Sequence, residues 1–174
     1  FKDLATAFVE NGDLVKKYLF SEAVGQDENK LTAMNAALMT GGVFIYVPKN
    51  VHVEVPLQAL YASSKENGGL FNHVLLVAED NSSVTYVENY AAYGDGIKVA
   101  NVVAEVYVGA GARVSFGGVD TLATGTTTYV VRRGHVERDG RIEWALGQMN
   151  DGDTVADNTT YLVGDGSFAD AKLV

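Results

Sequence analysis

The chain has 174 residues, 47% of them apolar, a formal net charge of −9 and no cysteine. That length and apolar content suffice for one sizeable core, so a single domain is expected. The acidic balance disfavours polyphosphate partners such as nucleic acid, and without cysteine these residues offer neither a disulfide framework nor a thiolate for zinc or an iron–sulfur cluster.

The first forty residues carry helical periodicity. Leu4 and Phe8, then Leu14, Tyr18 and Leu19, then Leu31, Met34 and Leu38 recur at spacings of three and four, which predicts three short helices. Asp13 is the expected N-cap of the second. Gly41-Gly42 is the expected stop of the third, because glycine accepts the left-handed conformation at a helix end.

From Val43 onward the pattern changes to short β-type runs separated by Gly, Asn and Asp, and these runs repeat. Aligned on a valine before a turn, the copies place Val47, Val77, Val108, Val136 and Val163 in one column, at separations of 30, 31, 28 and 27 residues. After each turn comes a triplet: Val51-His52-Val53, Val84-Thr85-Tyr86, Val114-Ser115-Phe116, Ile142-Glu143-Trp144 and, imperfectly, Phe168-Ala169-Asp170. Period-2 alternation sends the outer members of each triplet to one face. Stacked copies would then make an aromatic ladder of Tyr86, Phe116 and Trp144, with Thr85, Ser115 and Glu143 on the opposite face. The repeat is compatible with one large turn or two smaller ones.

The expected fold is therefore mainly β, a right-handed parallel β-helix (β-solenoid) over residues 42–174 preceded by a helical N-terminal segment over residues 1–41. An antiparallel sandwich is the competing architecture, since it too has many short strands with turn signals.

Several residues invite a chemical reading. His52, His73 and His135 share no short spacing with one another or with a carboxylate pair, so they are expected to be structural or surface histidines rather than metal ligands. Asp151-Gly152-Asp153 and Asp165-Gly166 resemble pieces of calcium loops but lack the remaining ligands, and are read as turns. The triplets Asn81-Ser82-Ser83 and Asn158-Thr159-Thr160 are read the same way. Lys16-Lys17 and Arg132-Arg133 are expected to be solvated surface pairs. Glu88, Asp120 and Arg132 would suit a polysaccharide-cleaving site on an outer sheet of a β-helix, although no carboxylate spacing enforces the separation that glycoside hydrolysis needs. No catalytic, cofactor-binding or metal-ligating residue is assigned.

Gly42 to Val51 with Glu54 to Gln58, Ser82 to Glu88, and Arg132 to Glu137 running on through Ile142-Glu143-Trp144 together resemble the SufB/SufD family of iron–sulfur cluster assembly proteins. The likeness spans nearly all of the chain from Gly41, and the helical residues before it resemble the linker that precedes the family's β-helix. It implies a cytoplasmic, non-catalytic scaffold subunit that pairs with a SufB-type partner and a SufC-type ATPase. It also implies that clusters are assembled on the full complex, with no cofactor held by these residues. SufB-like sequences have Gly-Cys where this chain has Asn89-Tyr90, and Gln-Asn-Trp where it has Asp120-Thr121-Leu122, while the basic Arg132 persists. Both departures favour the SufD-like branch.

No apolar run approaches the roughly 18 residues of a membrane-spanning helix, and no signal-peptide pattern opens the chain. Because it starts at Phe1 and stops at Val174, just after a turn and a new apolar segment, it is expected to be a piece truncated at its C-terminal end. An open solenoid end of that kind is expected to give a homodimer or weak higher oligomer.

Overall fold

The computed structural model describes residues 1–63, 67–92 and 96–174. Strand β1 (Lys2–Asp3) leads into three short helices, α1 (Leu4–Glu10), α2 (Gly12–Tyr18) and α3 (Lys30–Leu38). The Asp3 carboxylate caps α1 by accepting from the Thr6 N–H. Asn11, not Asp13, is the N-cap of α2; Asp13 sits in the first turn, where a carboxylate meets the positive end of the helix dipole. Helix α3 is fixed by a capping box between Asn29 and Thr32. It ends at Leu38, before the glycine pair expected to stop it. Gly41 and Gly42 instead open a strand, and Gly42 has φ of 145°, where a Cβ would collide with the His73 carbonyl.

Ten further strands form two sheets. Strands β2 (Gly41–Val47), β4 (Gly68–Ala78), β6 (Ile97–Val108), β8 (Thr127–Val136) and β10 (Thr154–Leu162) stack in parallel in the first, with β1 antiparallel at its edge. Strands β3 (Leu57–Ser63), β5 (Ser83–Ala92), β7 (Arg113–Thr121), β9 (Arg141–Gln148) and β11 (Phe168–Leu173) stack in parallel in the second. Consecutive strands alternate between the sheets, so one coil of the chain gives one strand to each. That is a parallel β-solenoid, and it excludes the antiparallel sandwich. The repeat is one large turn.

The turns that link the first sheet to the second share one feature in every coil. Each contains one residue in the left-handed region: Asn50, Asn81, Gly111, Asp139 and Gly166, with φ between 56° and 72°. Asn, Asp and Gly are the residues that adopt this conformation most readily. The turns also stack. The amides of Asn50, Asn81, Gly111 and Asp139 donate to Asp80, Ala110, Arg138 and Asp165 carbonyls of the next coil, at 2.9–3.0 Å.

Inside, the aromatic ladder is present as the alternation predicts. Tyr86, Phe116 and Trp144 occupy paired positions on β5, β7 and β9, with ring centroids 5.2 and 4.9 Å apart. Gly134 makes room for the indole: a Cβ there would lie 3.3 Å from Trp144 Cζ2. The valine column needs correction. The residues in register are Val47, Ala78, Val108, Val136 and Leu162, so Val77 and Val163 are each one position out. Val77 faces outward into a second apolar cluster with Leu4, Ala7, Val15 and Phe44, under the helices. Both faces of the first sheet are thus buried along much of β4, β6 and β8, where the hydrophobic pattern no longer marks which side is inside. The end triplets also slip. His52 pairs with Ser83, which sets Val53 rather than Val51 beside Val84, and Ala169 and Ala171 lie beside Ile142 and Trp144.

The helical segment docks on this outer face through polar groups as well as apolar ones. The buried residues of α3 are Thr32 and Asn35, not its apolar stripe, and Leu38 is 48% exposed. Asn35 Nδ2 donates to the Asn72 and Asn101 carbonyls at 3.2 and 3.1 Å, tying α3 to β4 and β6.

Candidate functional site

Extending the ladder's alternation two and four residues beyond Tyr86 reaches Glu88 and Tyr90, and beyond Phe116 it reaches Gly118 and Asp120. All four point between the sheets and are buried. On β8 the same rule places Arg132 inward, between Val130 and Gly134. Arg132 Nε and Nη2 donate to Glu88 Oε1 at 3.1 and 2.9 Å, and Nη2 also donates to Asp120 Oδ1 at 3.0 Å.

The geometry depends on two small residues. Glu88 lies in the coil two before that of Arg132, and the position paired with Glu88 in the coil between them is Gly118. A Cβ on Gly118 would come within 3.2 Å of Arg132 Nη2, so any side chain there would crowd the guanidinium. Ala104, the neighbour of Arg132 on β6, is the second small residue. With both in place the arginine reaches back across one coil to a carboxylate it is 44 residues from in sequence.

Two carboxylates share one guanidinium in a space closed to solvent. Burial pushes the Glu88 carboxyl up to about 7; Arg132 opposes the rise and Asp120 adds to it. Burial works against the charge on Arg132, but Glu88 and Asp120 more than offset it, so its proton is held more tightly than usual. The tyrosines continue the network. Tyr90 Oη donates to Glu88 Oε2 at 3.3 Å and accepts from Asn72 Nδ2 at 2.7 Å. Tyr61 stacks on Tyr90 with ring centroids 4.8 Å apart, and burial pushes its hydroxyl up to about 12.

The placement of Glu88, Asp120 and Arg132 corrects two expectations. They do not lie on an outer sheet: their side chains are at most 2% exposed, so a polysaccharide cannot meet the carboxylates. Nor is Arg132-Arg133 a solvated pair. Consecutive strand residues face opposite sides, so Arg132 enters the interior while Arg133 points outward, pairing with Asp157 Oδ2 at 2.6 Å and Glu28 Oε1 at 3.1 Å.

The histidines separate by environment. His52 is exposed beside Ser83. His135 lies 3.5 Å from Glu22 on the outer face. His73 is fully buried under the helical segment, with Nε2 2.9 Å from Glu105 Oε1 and Nδ1 3.1 Å from Asn35 Oδ1. The same Glu105 accepts from the Phe20 N–H at 2.8 Å and from Tyr107 Oη at 3.0 Å. Among the described residues no three His, Asp or Glu side chains converge as metal ligands. Asn81 does lie in a turn, whereas Asn158-Thr159-Thr160 is part of β10. No helix among the described residues is long and apolar enough to cross a membrane.

Stacked coils with their interior filled by aromatic, aliphatic and paired charged side chains define a parallel β-solenoid protein. Residues 61–174 match the family model "SUF system FeS cluster assembly, SufBD core domain", and residues 1–59 match "SufBD protein N-terminal region". The chain belongs to the SufBD family. It is 55% identical over 176 aligned residues to the iron–sulfur cluster assembly protein SufD of Bacillus subtilis (strain 168), covering 100% of this chain and 40% of that protein. It is 36% identical over 169 residues to iron–sulfur cluster assembly SufBD family proteins of Staphylococcus aureus (strain USA300) and Staphylococcus haemolyticus (strain JCSC1435), covering 96% of this chain and 36% of each. The chain therefore spans well under half the length of these curated relatives.

Proposed function

We propose that this chain is the solenoid part of a SufD-type subunit of a SUF iron–sulfur cluster assembly system, and that it serves as a non-catalytic cytoplasmic scaffold. The observation that carries the reading is 55% identity to the B. subtilis SufD protein over the whole chain. Physical features support it. A stack of parallel strands with a filled interior is stiff and presents long, fixed outer surfaces. The charged residues that could have served chemistry are enclosed and paired with one another. The chain itself has no cysteine with which to carry persulfide sulfur or ligate iron.

On this reading the full-length protein pairs with a SufB-type subunit and a SufC-type ATPase, and cluster chemistry belongs to that complex. Co-expression of the full-length protein with both subunits from the same organism is expected to yield a complex that survives size-exclusion chromatography. Recovery of the three proteins as separate species would overturn the proposal.

The proposal includes self-association of the 174-residue chain. Strands β10 and β11 are the outer strands of their sheets, and Val155, Tyr161, Leu162, Phe168 and Leu173 are exposed along them. A second copy laid against this edge would pair the free backbone groups and cover those side chains. Light scattering is expected to report a dimer or larger species; a strict monomer at high concentration removes this part of the reading.

A further inference from the structure

The interior charge cluster has an imbalance that the scaffold role does not require. Glu88, Asp120 and Arg132 bring two carboxylates and one guanidinium together, and all three are shut away from water. With both acids ionised the cluster carries a net negative charge in a low-dielectric space, and burying an uncompensated charge is among the costliest things a fold can do. One proton removes it.

We propose that the cluster is an internal proton-binding site: Glu88, Asp120 and Arg132 together hold a single exchangeable proton, resident on Glu88, in the middle of the solenoid. The geometry assigns the residence. Asp120 offers both oxygens to Arg132 Nη2, at 3.0 and 3.3 Å. Glu88 instead presents only Oε1 to the guanidinium and turns Oε2 toward Tyr90 Oη, 3.3 Å away. Oε2 is thus the one carboxylate oxygen of the cluster with a neutral partner, and a proton placed there keeps every bond to Arg132. Protonation reverses the bond to Tyr90: its hydroxyl donates to Oε2 of the ionised carboxylate, and accepts from the acid once Oε2 carries the proton, while it still accepts from Asn72 Nδ2.

The groups facing Glu88 are Arg132 from β8, Asp120 from β7, and Tyr90, Tyr86 and Tyr61 from β5 and β3; all three tyrosine hydroxyls have their proton affinity raised, chiefly by burial, and stay neutral through the physiological range. The exchangeable proton therefore lies with the carboxylates. In the folded chain Glu88 keeps it up to about pH 7, whereas the unfolded chain releases it near the ordinary glutamate value of 4.5. A folded-state value above the unfolded one means that folding takes up a proton between those limits. The stabilising contribution is complete below pH 4.5 and is lost as pH rises through 7.

The experiment compares the chain with its Glu88→Gln variant, which has the shape of the protonated acid but cannot ionise. The denaturant midpoint of the variant relative to the unaltered chain is expected to rise steadily from pH 5 to pH 8 and then level off. Groups that do not touch the cluster cancel in that difference. Infrared spectroscopy of the unaltered protein at pH 6 is expected to show a buried carboxylic-acid band that fades above pH 7; it should be absent from the variant. This second measurement stands even if Glu88→Gln fails to fold. A midpoint difference that is flat from pH 5 to pH 8, or no carboxylic-acid band in the native protein at pH 6, would overturn the proposal.

Discussion

Replacing Arg132 by methionine is expected to destabilise the chain by about 3–5 kcal/mol, the range seen when one partner of a buried ion pair is removed. The side chain is 0% exposed and is the cation that faces both Glu88 and Asp120. Methionine fills much of the same volume, so the loss reports charge rather than a cavity. Adding Glu88→Gln and Asp120→Asn to the variant is expected to restore part of the stability, because the two buried negative charges go with them. Equilibrium urea unfolding of the single and triple variants at pH 8 checks both statements. An Arg132→Met variant within about 0.5 kcal/mol of the unaltered chain, the usual scatter for surface substitutions, would mean that the cluster is open to water.

A loss of similar size, about 3–5 kcal/mol, is expected for Phe116→Ala. Phe116 is 1% exposed and stands between Tyr86 and Trp144, so truncation breaks the ladder on both sides at once. Neighbouring coils are held apart by their backbone hydrogen bonds and cannot close the gap by sliding together. Leu60→Ala serves as the control: Leu60 is just as apolar but 63% exposed, and its truncation is expected to change stability by no more than about 0.5 kcal/mol. Thermal and urea denaturation of the two variants measured side by side provide the comparison; equal losses would show that the ladder is not the core.

How much of this was legible in the sequence depends on which sheet a residue belongs to. The second sheet has one buried face, so Val84, Tyr86, Val114, Phe116, Ile142 and Trp144 alternate with more exposed residues and the repeat can be read directly. The first sheet is covered on both faces along much of β4, β6 and β8, and its strands read there as near-continuous apolar runs such as Val102 to Val108. That is why a column drawn on valines slipped at Val77, where the inward residue is the less conspicuous Ala78. The inward placement of Glu88, Asp120 and Arg132 is hidden for a different reason. Their spacing along the chain is irregular and does not report the face each occupies. Carrying the aromatic alternation one step further would have put Glu88 inside, and the small residue at Gly118 is the trace left by the arginine that reaches past it.

Parallel stacks of this kind ordinarily come apart from their ends, because each repeat touches only its neighbours. The N-terminal segment changes that here. It lies across the first sheet like a brace, bonding to β4 and β6 through Asn35, to β6 through Phe20, and to β8 through Asn29 and Glu28. Breaking any one of those coils loose means lifting the brace from the others, which welds β4, β6 and β8 into one cooperative block.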